Sequence, residues 1–442
     1  MILLLLACAG PSKNADSGTP DTRAETGESA DTAEQAPAWV EEDPVCDSPD
    51  LDVEADGDGW RVVTAHYDLE ISGFDEDEAR TLGTLAELSW SGLAAFFGTE
   101  VDGPLTVVIA ADEAGFQAAL AADGISGLEG AGGYYDPGGG KAYLFRQPTT
   151  YYSRVLMIHE IVHQYQYHSG VADGLPGWYI EGLAEALGRH HWDGDCLTLR
   201  VRPLLSWEDM AAQAWTELDA GAPDLVSVFG GGSASRPLSQ ELVRLFTSDP
   251  DRAARFADWR WSVASGVTSA TDLDALQAAL GSTDEIASDL ADFVPQDQEP
   301  LSPIWLDWIP QGEDQALGWS DASSAARIKG ETTTEDLRFD WPASGYAGTV
   351  YGYDESSGDV ELALLGADGT ISRFAYIGGV VTWDVYTSVG ASDEAVWSQT
   401  AGDGVTELTV AGTAVELPRS LAPAGGLALY GGEATFRALS WE

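Results

Sequence analysis

The chain has 442 residues and carries a formal net charge of −52, from 73 acidic against 21 basic side chains. With Lys13, Lys141 and Lys329 as its lysines, it lacks the basic patches that a nucleic-acid partner or an anionic membrane surface requires, so neither is expected to be held by charge. An acidic exterior of this kind keeps an exported protein soluble in salt-rich surroundings.

The first residues, MILLLLACAG, are apolar over too short a run to span a bilayer. Leu5-Leu6-Ala7-Cys8 resembles a bacterial lipobox. Residues 1–7 then read as the remnant of a signal whose basic start lies upstream, and Cys8 as the acylated residue that anchors the chain to a membrane. The expected location is the bacterial cell envelope, facing the periplasm or the exterior. Residues 8–50 are rich in Ala, Asp, Glu, Ser, Thr and Pro and poor in large apolar side chains, so they read as an acidic disordered tether. At its end, Asp50 to Gly59 superficially resembles a Ca²⁺ loop. The position where such a loop needs a bidentate Glu holds Val63, so an acidic turn is expected instead. Of the three cysteines, Cys46 and Cys196 remain once Cys8 is set aside, and in an exported chain they are expected to pair.

Globular signals begin in the next stretch. WRVVTAHYDLEIS alternates as a strand, DEDEARTLGTLAELSWSGLAAFFG has helical periodicity, PLTVVIA reads as a buried strand and DEAGFQAALAA as a helix. AGGYYDPGGGKAYLF reads as a hairpin turning at Pro137 to Gly140. The segment from Val155 to His191 follows, with five of the chain's 6 histidines. Its His159-Glu160-Ile161-Val162-His163 sits in an amphipathic pattern of Val155, Ile158, Ile161, Val162 and Tyr165, so both imidazoles project from one helical face, one turn apart. That arrangement suits two ligands of one Zn²⁺, with Glu160 placed to act on water rather than on the ion. A loop containing Gly170, Asp173 and Gly174 leads to a second helix, with Pro176 at its start and Gly188 near its end. On it Glu181 and Glu185 share a face in an apolar setting, the expected source of a third ligand and of a carboxylate supporting the ligands.

HEIVHQYQYH followed by LPGWYIEGLAEALG resembles the gluzincin metallopeptidases, most closely the peptidase-MA-like branch, which reads His-Glu-x-x-His and then Trp-x-x-Glu-Gly-x-Ala-Glu. The resemblance implies that His159, His163 and Glu181 bind zinc, that Glu160 is the general base acting on zinc-bound water, and that Glu185 orients His159. In that fold the strand beside the zinc helix is an open edge, so Gly132, Gly133 and Tyr134 are expected to help hold a peptide by strand addition. The branch often carries a Tyr at the start of the helix that here begins near Gly232. This chain reads VSVFGGGSASRPLSQELVRLF there, leaving Tyr134, Tyr135, His190 and Arg236 as candidate oxyanion donors.

Helical patterns continue through SQELVRLF, DRAARFADWRW, DLDALQAAL and DEIASDLADFV, and the Pro- and acid-rich VPQDQEPLSP marks a boundary near residue 300. From residue 311 the chain changes to short alternating segments, LRFDW, GTVYGY, VELALL, ISRFAYI, VTELTV, TAVEL, LALY and ATFRALSW, with a hairpin turn at Asp368-Gly369. GGLALYGGEATFRALSWE resembles the closing strands of a concanavalin-like jelly roll. Exposed Trp and Tyr there can bind glycans, although in a small sandwich such residues more often form core.

The expectation is an α+β zinc metallopeptidase domain over residues 51–298 followed by an all-β, jelly-roll-like accessory domain over 311–442. The implied activity is hydrolysis of peptide bonds in a peptide or protein substrate, with Zn²⁺ as cofactor. The alternative is a non-catalytic cell-surface binding protein whose working part is the sandwich.

Overall fold

The computed structural model describes residues 44–170, 174–192, 194–201, 209–221, 224–297, 301–306, 311–313, 316–319, 324–328 and 332–441. Cys8, residues 1–43 and the loop residue Asp173 lie outside them. The first unit runs β1 (Val45–Cys46), β2 (Asp52–Asp56), β3 (Gly59–Val63), β4 (Tyr67–Ser72), α1 (Glu76–Phe97), β5 (Leu105–Ala110), α2 (Glu113–Ala122), β6 (Gly133–Asp136), β7 (Lys141–Phe145), α3 (Thr150–His168) and α4 (Gly177–Gly188). It continues through β8 (His190–Trp192), β9 (Cys196–Leu199), α5 (Met210–Asp219), α6 (Leu225–Phe229), α7 (Arg236–Phe246), α8 (Pro250–Ala264), α9 (Leu273–Leu280) and α10 (Thr283–Asp297).

Six strands form one sheet in the order β2-β3-β4-β5-β7-β6, with β4–β5 and β5–β7 parallel and the other pairs antiparallel. Strand alternation divides its two faces. Val107 and Ile109 of β5 pack with Leu82, Leu85 and Ile158 from α1 and α3, whereas Val108 and Ala110 meet Phe116 and Leu120 of α2. The turn between β2 and β3 is made by Gly57 and Asp58, with Gly57 at φ 61°, so the acidic stretch forms a hairpin turn. A capping box between Asp75 and Glu78 starts α1, and Gly98 at φ 67° ends it.

A small sheet, β1-β9-β8, follows the second helix of the histidine segment. Cys46 lies directly opposite Cys196 across β1 and β9, and the two are joined in a disulfide that links positions 150 apart. Residues 44–50, assigned to the tether from composition, therefore belong in part to the folded unit. Their apolar content is too low to show this. A cross-chain strand pair and a disulfide hold them instead.

The C-terminal unit is a β-sandwich of β10 (Leu301–Leu306), β11 (Gln311–Glu313), β12 (Ala316–Trp319), β13 (Ser324–Ile328), β14 (Thr334–Asp340), β15 (Ser344–Asp354), β16 (Asp359–Gly366), β17 (Thr370–Ile377), β18 (Val380–Ser388), β19 (Glu394–Ala401), β20 (Val405–Val410), β21 (Thr413–Pro418), β22 (Ala422–Pro423) and β23 (Gly426–Trp441). It begins at Leu301, ten residues before the expected start, because β10 pairs with β13. LALY and ATFRALSW form one continuous strand, β23. Its first part pairs with β13 and β15 and its last part with β12 and β14, so it belongs to both sheets. Leu337, Phe339, Trp397 and Val410 from one sheet meet Ala347, Ala363, Leu365 and Ile371 from the other, and these form the core between the layers. The alternation of β14 and β20 shows one buried face, whereas β16 is buried along both, which explains its unbroken VELALL. The strands β10 to β13, β18, β19 and β22 have no counterpart among the segments expected from sequence. Among the described residues, no helix is long and apolar enough to cross a membrane.

Candidate metal centre

The site is built on α3. Thr149 caps it by accepting a hydrogen bond from Tyr152 N–H, and the helix is buried from Ser153 through Gln166. His159 and His163 face the same way, with their Nε2 atoms 3.1 Å apart. α4 supplies the third group: Glu181 Oε2 lies 3.9 Å from His159 Nε2 and 3.7 Å from His163 Nε2. These three residues form a group whose ligand atoms all lie within 4.8 Å of one another.

Two glycines let α4 pack closely, one against α3 and one against α7. A Cβ at Gly188 would stand 3.1 Å from the Val155 carbonyl oxygen and 3.5 Å from His159 Cβ, so α4 ends against the turn of α3 that carries the first histidine. A Cβ at Gly182 would fall 2.6 Å from the Ser239 carbonyl carbon on α7. The start of α4 is anchored by Trp178, fully buried among Phe229, Phe246, Phe256 and Trp259 at ring-centroid distances of 5.4–6.4 Å. Glu181 and Glu185 are thereby presented from a helix packed on both sides.

Glu185 reaches behind the first histidine. Its Oε1 is 3.6 Å from His159 Nδ1 and accepts a 2.7 Å hydrogen bond from Arg236 Nε–H at the first turn of α7. Arg236 was an oxyanion candidate on sequence; the structure instead commits its Nε to Glu185. Nothing in the spacing signals this pair, because its members lie 51 positions apart on different helices.

Glu160 is fully buried, and both its carboxylate oxygens have no hydrogen-bond partner among the described residues. It abuts Gly133: a Cβ there would stand 2.9 Å from Glu160 Cδ and 3.0 Å from Cγ. Gly133 opens β6, the last strand of the sheet order, and Gly132 precedes it. Tyr135, on the same face as Gly133, lies tilted against Tyr167 of α3 with ring centroids 5.3 Å apart. Tyr134 points to the opposite face, among the apolar side chains packed on α2. The period-two alternation of a strand thus removes its side chain from the histidine face and leaves only its backbone at the sheet edge. His190, another oxyanion candidate, has Nδ1 3.0 Å from the Gly188 carbonyl oxygen and its ring near Tyr151.

Burial dominates the electrostatics. It pushes His159 down to about 3 against the pull of Glu185, so the imidazole is neutral, the form that binds a metal. Burial also raises Glu185, but Arg236, His159 and Arg189 together outweigh it and hold the carboxyl at about 2. Glu160 is raised well above the usual carboxylate range, by burial first and then by Glu181 and Glu185. A dication among the three ligands would act in the opposite direction.

No protein-family profile matches the chain, and no curated protein does. Among solved structures, it is similar to a carbohydrate-binding module from Bacillus subtilis, CBM66, at 14% identity over 32% of this chain and 95% of that one, with a TM-score of 0.28. A lichenase, a β-1,3-1,4-glucanase from a mouse hindgut metagenome, aligns at 10% identity over 32% and 92%, with a TM-score of 0.26. A toad ovary galectin in complex with thio-digalactose aligns at 12% identity over 28% and 100%, with a TM-score of 0.24. None of these scores marks a fold shared over the whole chain.

Proposed function

We propose that the first unit is a zinc-dependent peptidase. The observation that carries the reading is the position of Glu160: a buried carboxylate without a hydrogen-bond partner among the described residues, one residue from His159, against the edge strand of the sheet. The donor set supports zinc. Two imidazoles and one carboxylate leave a tetrahedral ion one open position. Their spacings of 3.1, 3.7 and 3.9 Å bracket the edge of roughly 3.3 Å expected for ligands about 2.0–2.1 Å from Zn²⁺. His159, His163 and Glu181 would hold the ion. Zinc bound there supplies a Lewis acid that acidifies water and polarises an amide carbonyl.

The chain's own residues do the rest. β6 receives an extended peptide along its edge, which sets the scissile bond beside Glu160. Glu160 accepts a proton from the attacking water and returns it to the departing amine, a role that favours a carboxyl held in a dry pocket. Glu185 orients His159, and burial around the pair excludes competing solvent. The same proposal places the chain at the bacterial envelope through acylated Cys8; fatty-acid labelling that survives Cys8→Ser would remove that part.

The purified protein should carry about one zinc per chain and cut members of a diverse peptide library. Glu160→Gln should keep the metal and lose about 10²–10⁴-fold in cleavage, the usual worth of one general acid–base group. Wild-type protein that is loaded with zinc and cuts nothing refutes the reading.

One observation favours a second reading, a surface binding protein with the sandwich as its working part. Tyr346, Phe374, Trp383 and Tyr430 form an aromatic cluster on one sheet, with ring centroids 4.9–6.5 Å apart, and Tyr430 is 38% exposed. Partly exposed rings of this kind can stack on the apolar faces of sugars. A glycan array that retains the wild type, and loses it on Tyr430→Ala, would support this reading; an array with no retention would end it.

A further inference from the structure

We infer that Arg236 is a positioning residue of the metal centre, acting on the first histidine through Glu185; this rests on the zinc-peptidase reading. A single oxygen, Glu185 Oε1, carries both contacts, at 2.7 Å to Arg236 Nε and 3.6 Å to His159 Nδ1. Glu185 is 3% exposed, so its charge cannot be satisfied by bulk water and depends on the groups around it. An Arg donating from Nε presents a planar, rigid fork, which fixes the carboxylate plane as well as its position. Orientation of a ligating imidazole by a carboxylate is what sets its tautomer and its aim at an ion. The fold adds a reason for the Arg to come from α7. Gly182 brings α4 against the Ser239 carbonyl, so the first turn of α7 is held at fixed distance from the α4 face that bears Glu181 and Glu185. Ser235 caps that turn by accepting from Leu238 N–H, and its hydroxyl donates to Glu217 at 2.7 Å. The start of α7 is thus a braced platform, and Arg236 is its first helical residue.

The test uses the full chain and measures zinc affinity by chelator competition, with the visible spectrum of the cobalt-substituted protein as a second readout of ligand geometry. Arg236→Met should weaken zinc binding by about 10–100-fold, the usual effect of losing a partner behind a ligand. Arg236→Lys, which keeps the charge but not the fork, should recover part of that loss. In a Glu185→Gln background, Arg236→Met should add less than about twofold, because the path from Arg236 to His159 is already cut. That comparison also serves if Arg236→Met alone does not fold, since the double variant leaves no unpaired buried carboxylate. Zinc affinity and cobalt spectrum unchanged in Arg236→Met, or a full further loss in the Glu185→Gln background, would overturn the assignment. A wild type that binds no zinc fells the peptidase reading and this inference with it. A wild type that binds tightly beside an unaffected Arg236→Met fells only the inference.

Discussion

Gly133→Ala tests how closely the edge strand is fitted to Glu160, the proposed general base. The new methyl carbon would stand 2.9 Å from Glu160 Cδ and 3.0 Å from Cγ, and nearer still to one carboxylate oxygen. Ordinary carbon–carbon contacts lie at about 3.5–4.0 Å, so the carboxylate must retreat by roughly 0.5–1 Å. The backbone itself does not object, because Gly133 is not among the glycines with positive φ. A misplacement of about 1 Å in a reacting group can cost about 10²-fold, which corresponds to about 2.7 kcal/mol in the barrier. The fall should appear mainly in kcat in a steady-state assay on a cleavable peptide. Zinc content and the thermal midpoint should hold, since neither the ligands nor the strand pairing is touched. Turnover equal to wild type would show that Glu160 has room to move and is not set by β6. Loss of zinc in step with activity would show that the methyl disturbs the ligands instead.

Two further outcomes follow from packing and burial. Glu335, wholly buried in the sandwich and bonded to Thr349, Gln399 and Gly426 N–H, is pushed by burial up to about 8 from an ordinary 4.5. Its folded form keeps a proton that the unfolded chain releases, so stability is full below pH 4.5 and falls as pH rises through 8, by up to about 4–5 kcal/mol at about 1.36 kcal/mol per unit. Glu335→Gln should flatten that fall in denaturant titrations of the whole chain at pH 6 and pH 9, and a wild-type sandwich transition insensitive to pH would count against it. Gly182→Ala would place a Cβ 2.6 Å from the Ser239 carbonyl carbon and 3.0 Å from Val243 Cγ2. Overpacking of that kind typically costs about 1–3 kcal/mol, read as a lower thermal midpoint, and by parting α4 from α7 it should also weaken zinc binding. An unchanged midpoint would mean that the two helices separate freely.

Much of the site was legible because its signal is local. Four-residue spacing puts His159 and His163 on one helical face whatever the rest of the chain does, and Glu181 and Glu185 follow the same rule on the next helix. The alternating strands and the turn at Asp368-Gly369 are legible for the same reason. β18 was not, because its residues are exposed on both faces and alternation carries no message where neither face is covered. The start of the sandwich was misplaced because β10 is recognisable only by its pairing with β13.

The sequence alone therefore determined which segments alternate and which side chains share a helix face, His159 with His163 and Glu181 with Glu185 among them. The tertiary structure decided how α4 meets its neighbours, against α3 at Gly188 and against α7 at Gly182. It also decided that Arg236 serves Glu185, that Gly133 presses on Glu160, and that Tyr134 turns away to α2. The physical reason is range. Periodicity and propensity act over a few residues and are written in the local chain, whereas the approach of one backbone to another, and the side chain that fills or vacates the space between them, depend on elements many tens of residues apart.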